Sequence, residues 1–105
     1  MKVRCDKNLL LFKKQIKETL GKNVIKVILF GSRARRNAGK YSDYDCLVIF
    51  KKCDNEVKEK LLDIEGNMLY EKNVVFSAFP FSEKELTRKR YEPFIINAIK
   101  EGVVI

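Results

Sequence analysis

The chain of 105 residues contains no histidine, and this absence removes several kinds of chemistry at the outset. Serine–histidine–aspartate and cysteine–histidine catalysis are excluded, because each needs an imidazole as base. A zinc site is disfavoured for the same reason, since imidazole is one of the main zinc ligands. Any catalysis must therefore rest on carboxylates, Lys, Arg, Ser, Tyr or a hard metal ion.

Cysteines and long apolar runs are also scarce. The three cysteines, Cys5, Cys46 and Cys53, form no Cys-x-x-Cys pair, so we expect reduced thiols inside a cell. The longest apolar runs are too short to span a bilayer. The N-terminal stretch lacks the apolar segment and the small-residue cleavage site of a signal peptide. These features together predict a cytoplasmic protein without membrane association.

Positive charge, in contrast, is abundant. Lys and Arg number 22 against 14 Asp and Glu, which gives a net charge of +8. Such a balance favours anionic partners, namely nucleotides, nucleic acid or an acidic protein, although a solvated lysine-rich surface explains it equally well. The length and the apolar share of 46% predict one globular domain over residues 1–105.

The spacing of apolar residues predicts the element order α-β-α-β-α-β-α. The predicted helices cover Asn8–Leu20, Arg33–Ala38 with Ser32 as N-cap, Asp54–Leu69, Ser82–Arg90 and the segment from Pro93 to Glu101. The predicted strands are Val24–Phe30, Tyr44–Phe50 and Asn73–Phe79, with Val103–Ile105 as a short edge strand. We therefore expect an α/β (α+β) fold, a small mixed sheet with helices mainly on one face.

A Gly-Ser turn follows the first predicted strand. Gly31 allows the backbone to approach a ligand closely, and the start of the next helix presents free N–H groups to an anion. Ser32 adds a hydroxyl, and Arg33, Arg35 and Arg36 add positive charge. The turn therefore predicts a phosphate-binding site, with Gly31, Ser32, Arg33 and Arg36 as its residues. The plainer alternative is a turn that only caps a helix.

Two carboxylates stand at the start of the second predicted strand. Asp43 and Asp45 are two residues apart, so in an extended strand both side chains point to the same side. Two like charges this close repel each other unless a cation lies between them. Mg²⁺ binds one or two carboxylates and completes its shell with water and phosphate oxygens. The alternative is that Asp43 caps a turn and Asp45 pairs with an arginine.

The two features lie on strands joined by one short connection, and together they point to one reaction class. Phosphoryl-type transfer needs groups that hold the phosphates and groups that neutralise the charge developing as the bond breaks. A phosphate-binding turn beside a metal-binding carboxylate pair supplies both.

The stretch "LFGSRARRNAGKYSDYDCLVIF" resembles the motif of DNA-polymerase-β-like nucleotidyltransferases, which is Gly-Ser, about ten residues and then Asp-x-Asp. More narrowly, it is similar to the minimal nucleotidyltransferase (MNT) domains. The resemblance implies that Gly31 and Ser32 bind a nucleoside triphosphate, and that Asp43 and Asp45 are catalytic and bind Mg²⁺ or Mn²⁺. It also implies transfer of a nucleoside monophosphate, AMP from ATP, to a hydroxyl. In that family the partner is often a small helical HEPN-type toxin.

The chain departs from the family pattern in the third predicted strand. Active members carry a third carboxylate there, whereas "NVVFSAF" contains none. Phe76 or Ser77 takes that position, depending on the register, and Glu71 precedes the strand. The alternative function is therefore an inactive or weakly active antitoxin that acts by binding its partner. A nucleic-acid binder, suggested by the net charge, is a further alternative. The sequence leaves open which hydroxyl accepts the nucleotide and whether the chain forms a homo-oligomer.

Overall fold

A computed structural model describes residues 6–35 and 43–105 of the chain. The helices are α1 (Lys7–Leu20), α2 (Gly31–Ala34), α3 (Asn55–Lys72), α4 (Glu83–Arg88) and α5 (Pro93–Glu101), and a 3₁₀ turn covers Gly21–Asn23. The strands are β1 (Val24–Phe30), β2 (Tyr44–Phe50), β3 (Phe76–Ser82) and β4 (Val103–Val104). Both apolar strands before and after the Gly-Ser turn have the predicted bounds.

The described strands form one mixed sheet in the order β3-β2-β1-β4. β1 is antiparallel to both β2 and β4, and β2 is parallel to β3. Only the parallel pair needs a crossover connection, and α3 provides it. The predicted mixed sheet is therefore confirmed. The connection from β1 to β2 joins antiparallel neighbours, so its limited length does not constrain the fold.

The alternation of side chains along β2 separates the two faces of the sheet. Tyr44 and Cys46 point into a core cluster formed with the buried faces of α1 and α3. Leu47 and Ile49 point the other way, into a smaller cluster with Ile95 of α5. The two long helices therefore cover one face, and α5 covers part of the other. By the same alternation Asp45 lies on the face of α5.

Side-chain caps fix the starts of three helices. The carboxylate of Asp6 accepts a hydrogen bond from the backbone N–H of Leu9 at the start of α1, and Asp54 does the same for α3. Ser82 and Glu85 form the predicted capping box at the start of α4. Such caps satisfy backbone donors that have no partner within the helix.

Several predicted boundaries are wrong. α3 continues to Lys72, and its C-cap Asn73 has a φ of 53° in the left-handed region, so β3 covers Phe76–Ser82 and not the predicted Asn73–Phe79. α2 begins at Gly31 with Phe30 in the N-cap position, and Ser32 is therefore not its N-cap. An asparagine can take the left-handed conformation that ends a helix, which the apolar pattern does not reveal.

The remaining features of the fold are the burial of the cysteines and the character of the helices. Cys46 is buried and Cys53 is half-buried, and both are free thiols, whereas Cys5 lies outside the described residues. Among the helices of the described segments, none combines the length and the apolar character needed to cross a membrane.

Candidate active site

The Gly-Ser turn and the second aspartate of the pair meet at the end of β1. Gly31 has a φ of +75°, in the region that favours glycine. A Cβ atom at this position would lie 2.5 Å from Oδ2 of Asp45. Phe30 is the register partner of Asp45 in the antiparallel pair of β1 and β2. Glycine is therefore required here for two reasons: its φ is positive, and a carboxylate occupies the space that a side chain would need.

The electrostatics of the acid pair favour a cation. Asp43 is exposed and immediately precedes β2, whereas Asp45 is half-buried. Burial raises the pKa of Asp45, and the negative charge of Asp43 raises it further, against the opposing effect of Arg35. The charged form of Asp45 therefore carries an electrostatic cost that a positive ligand beside it would offset.

The acid pair fits a hard divalent cation by its chemistry. Mg²⁺ and Mn²⁺ prefer oxygen ligands, and Mg²⁺ commonly takes only one or two carboxylates together with substrate phosphates. Within residues 6–35 and 43–105, no group of three His, Cys, Asp or Glu side chains could hold a metal ion. If the two aspartates held such an ion, a bound substrate and water would have to supply its other ligands.

Of the two arginines in the predicted phosphate site, the structure describes Arg33. The guanidinium of Arg33 lies over the ring of Tyr44, 3.9 Å from its centroid. Tyr44 is buried and its hydroxyl donates to Oδ2 of Asp6 at 2.6 Å; burial and this hydrogen bond raise the pKa of Tyr44 to about 12. Ser32 is half-buried within α2. Arg36 lies outside the described residues.

A residue that the sequence pattern did not single out completes the turn. The carboxylate of Glu101 accepts a hydrogen bond from the backbone N–H of Gly31 at 3.0 Å. Its other oxygen pairs with Nη1 of Arg35 at 2.9 Å. The hydrogen bond from Arg35, followed by that from Gly31, lowers the pKa of Glu101. In the sequence, Glu101 stands out only as the end of the last helix.

The register of β2 and β3 identifies the residue at the position of the missing third acid. Asp45 is the partner of Ser77 in the parallel pair. Phe76 points to the opposite face, where its ring stacks on Phe12 with the centroids 4.0 Å apart. Glu71 belongs to α3 rather than to β3. Ser77 therefore stands beside Asp45, and the sequence left this choice between Phe76 and Ser77 open.

The architecture defines the class of the protein. A mixed sheet in which a Gly-Ser turn ends one strand and a carboxylate pair begins its neighbour is a polymerase-β-like nucleotidyltransferase fold. A crystal structure of a toxin–antitoxin with AMP-PNP matches it with a TM-score of 0.61 and 14% identity, over 88% of this chain and 67% of that chain. A mutant of the toxin–antitoxin MntA-HpeT matches with a TM-score of 0.61 and 11% identity, over 90% and 69%. At these identities the likeness concerns the fold.

Sequence comparison supplies the family. The model of the nucleotidyltransferase domain family matches residues 11–105, and the chain belongs to this family. The chain is also 33% identical over 87 residues to a protein of Methanocaldococcus jannaschii named "Putative protein adenylyltransferase MJ1305". The matched segment is 80% of this chain and 59% of that relative's length. The chain thus corresponds to somewhat more than half of that relative.

Proposed function

We propose that the chain is a Mg²⁺-dependent nucleotidyltransferase that transfers AMP from ATP to a hydroxyl of a protein partner. The observation that carries this proposal is the contact geometry of Gly31 and Asp45, because it joins the phosphate-binding turn to the acid pair. The family membership supports nucleotidyl transfer. The name of the Methanocaldococcus jannaschii relative supports a protein acceptor, and the AMP-PNP in a protein of the same fold supports ATP.

In the proposed reaction, the acceptor oxygen forms a bond to the α-phosphorus of ATP. The bond from that phosphorus to the oxygen bridging to the β-phosphate breaks, pyrophosphate leaves, and the acceptor proton passes to solvent. The hydroxyl and the backbone N–H of Ser32 would hold phosphate oxygens, whereas the N–H of Gly31 is bonded to Glu101. Asp43 and Asp45 would hold the metal ion. Mg²⁺, when bound, would offset the negative charge on the triphosphate.

The proposed partner is a small helical toxin of the HEPN type. Two solved structures of the same fold are of toxin–antitoxins, and the MNT-like motif over residues 29–50 points to the same pairing. The acceptor would be a hydroxyl side chain of that toxin. The matched segment covers only 59% of the adenylyltransferase relative. The name of that relative therefore supports a protein acceptor in general, and the choice of the toxin rests on the toxin–antitoxin structures.

The test uses ATP labelled at the α-phosphate, Mg²⁺ and a small helical HEPN-type protein as the candidate partner. Label should appear on the toxin with the wild type, and none should appear with ATP labelled at the γ-phosphate. Asp43→Asn and Asp45→Asn should each reduce transfer by at least about a hundredfold, as expected for loss of metal binding. The exposed Asp63 of α3 provides the matched control, because Asp63→Asn removes the same charge outside the site. Transfer that survives both Asp43→Asn and Asp45→Asn would refute the proposal.

Ser77 favours a second candidate, a binding-only antitoxin of the same fold. A serine beside Asp45 cannot supply the third carboxylate that would bind a second metal ion or take the acceptor proton. If the lack of a carboxylate at position 77 makes turnover weak or absent, Ser77→Asp should create or raise label transfer. Ser77→Asn has a similar size without the charge and is the matched control. Equal transfer by the wild type and Ser77→Asp would exclude the missing acid as a limit.

A further inference from the structure

The carboxylate of Glu101 joins the two ends of α2. One oxygen accepts the N–H of Gly31, the first residue of the helix, at 3.0 Å. The other binds the guanidinium of Arg35, which directly follows the helix, at 2.9 Å. α2 is four residues long and has no side-chain hydrogen bond at its N-cap. A single helical turn is unstable by itself, so its geometry depends on contacts from outside.

The fold brings Glu101 to this place through the edge strand. β4 is antiparallel to β1, with Val103 opposite Leu29 and Val104 opposite Ile28. Continuing this register backwards along the chain places position 101 beside position 31. Gly102 makes the approach possible, because a Cβ atom there would collide with the side chain of Ile28 and the carbonyl oxygen of Ala98.

The charge of Glu101 has a consequence that depends on its role. A carboxylate beside a triphosphate site repels the ligand, so a carboxylate without a positioning role would weaken ATP binding and its removal would strengthen it. A carboxylate that holds the Gly31 N–H and the Arg35 guanidinium in place has the opposite effect. The sign of the change in affinity therefore separates the two roles.

We propose that Glu101 is a positioning residue for the triphosphate, acting by fixing the Gly31–Ser32 turn and the guanidinium of Arg35 in their binding geometry. The inference rests on the proposed nucleotide-binding function. It adds a residue from α5, 69 positions from Ser32 in the chain, to the phosphate site. Glu101 itself does not contact the nucleotide; it acts through Gly31 and Arg35.

The experiment measures the Kd of ATP and of AMP by calorimetry in the presence of Mg²⁺. Glu101→Ala removes both contacts and should weaken ATP binding about tenfold, the value of one charge-assisted hydrogen bond. Glu101→Gln keeps an acceptor for the Gly31 N–H but loses the charge that pairs with Arg35, so its effect should be smaller. AMP, which lacks the β- and γ-phosphates, should bind every variant as it binds the wild type.

A matched control comes from the same helix. Glu92 precedes α5 at its opposite end, about 13 Å from Glu101 by the helical rise. Glu92→Gln removes the same charge and should leave both affinities unchanged. A double-mutant cycle with Arg35→Ala should show that the losses at Glu101 and Arg35 are not additive, because the two side chains act as one unit.

The outcomes are distinct for the inference and for the proposed function. If the wild type binds ATP and Glu101→Ala binds it equally or more tightly, the positioning role is overturned and the nucleotidyltransferase proposal stands. Equal losses of ATP and AMP affinity would also overturn it, because they indicate general damage to the fold. If Glu101→Ala does not fold, the Kd values of ATP and AMP for Glu101→Gln are compared with those of the wild type by the same criteria. A wild type that binds no ATP overturns the proposed function, and this inference with it.

Discussion

Replacing Gly31 by alanine tests how closely the Asp45 carboxylate approaches the turn. The substitution places a methyl group 2.5 Å from Oδ2 of Asp45, at a residue whose φ is +75°. An L-residue in the left-handed region costs about 1–2 kcal/mol. The Asp45 carboxyl must also rotate away, and a displaced side-chain torsion costs about 1 kcal/mol. We therefore expect Gly31→Ala to lower the free energy of unfolding by about 2–3 kcal/mol.

Two other glycines separate these contributions. Gly21 has a φ of +51° and a ψ of −126°, with open space where a Cβ atom would lie, so Gly21→Ala should show a backbone cost alone, about 1–3 kcal/mol. Gly66 lies within α3 with open space as well, and Gly66→Ala should stabilise the protein by up to about 1 kcal/mol through helix propensity. The same chemical change is thus expected to have opposite signs at Gly31 and Gly66.

The assay is urea unfolding of the three variants beside the wild type. A double-mutant cycle of Gly31→Ala with Asp45→Ala should return a coupling of about 1 kcal/mol, since removing the carboxyl relieves the collision. The reasoning is refuted if the cost of Gly31→Ala is the same in the Asp45→Ala background. That result would mean that Asp45 does not approach the turn as closely as the structure shows.

Three further predictions concern stability. Burial raises the pKa of Glu65 from 4.5 to about 7, so the folded protein retains a proton that the unfolded chain has lost, and the free energy of unfolding should fall as pH rises from 4.5 to 7. After discounting for solvent screening, Glu65→Gln should be more stable than the wild type by about 1–2 kcal/mol at pH 8 and equal to it at pH 4; parallel pH profiles would contradict this. Tyr44→Phe removes the 2.6 Å hydrogen bond to Asp6 and should cost about 1–2 kcal/mol in urea unfolding, an unchanged midpoint being the contrary result. Asp54→Ala removes the cap on the N–H of Val57 and should cost about 1 kcal/mol, whereas Asp63→Ala on the exposed face of α3 should have little effect.

The sequence predicted the parts of the fold that depend on local patterns. Val24–Phe30 and Tyr44–Phe50 are continuous apolar runs bounded by clear turn residues, and both strands have the predicted bounds. The boundary between α3 and β3 was wrong because Asn73, rather than a glycine, ends the helix. Pro80 also lies within β3, which an edge strand tolerates because one row of its N–H groups points away from the sheet.

The sequence motif identified part of the site, and long-range pairing determined the rest. Gly31 and Asp45 were selected from residue types and spacing within one stretch, and the structure brings them together. Glu101 could not be found in this way, because its position depends on how β4 pairs with β1. The choice of Ser77 over Phe76 depends likewise on the register between β2 and β3. Periodicity assigns a residue to a face only once the strand boundaries are known.

The edge formed by β3 has a consequence for association between copies of the chain. The outer side of a sheet normally offers a row of backbone donors to which another strand can add. In β3, Pro80 has no N–H to offer. A strand from a second copy would therefore lack one of the donors of this row. Pro80 thus interrupts the row of donors along this edge of the sheet, which disfavours the addition of a strand from a second copy.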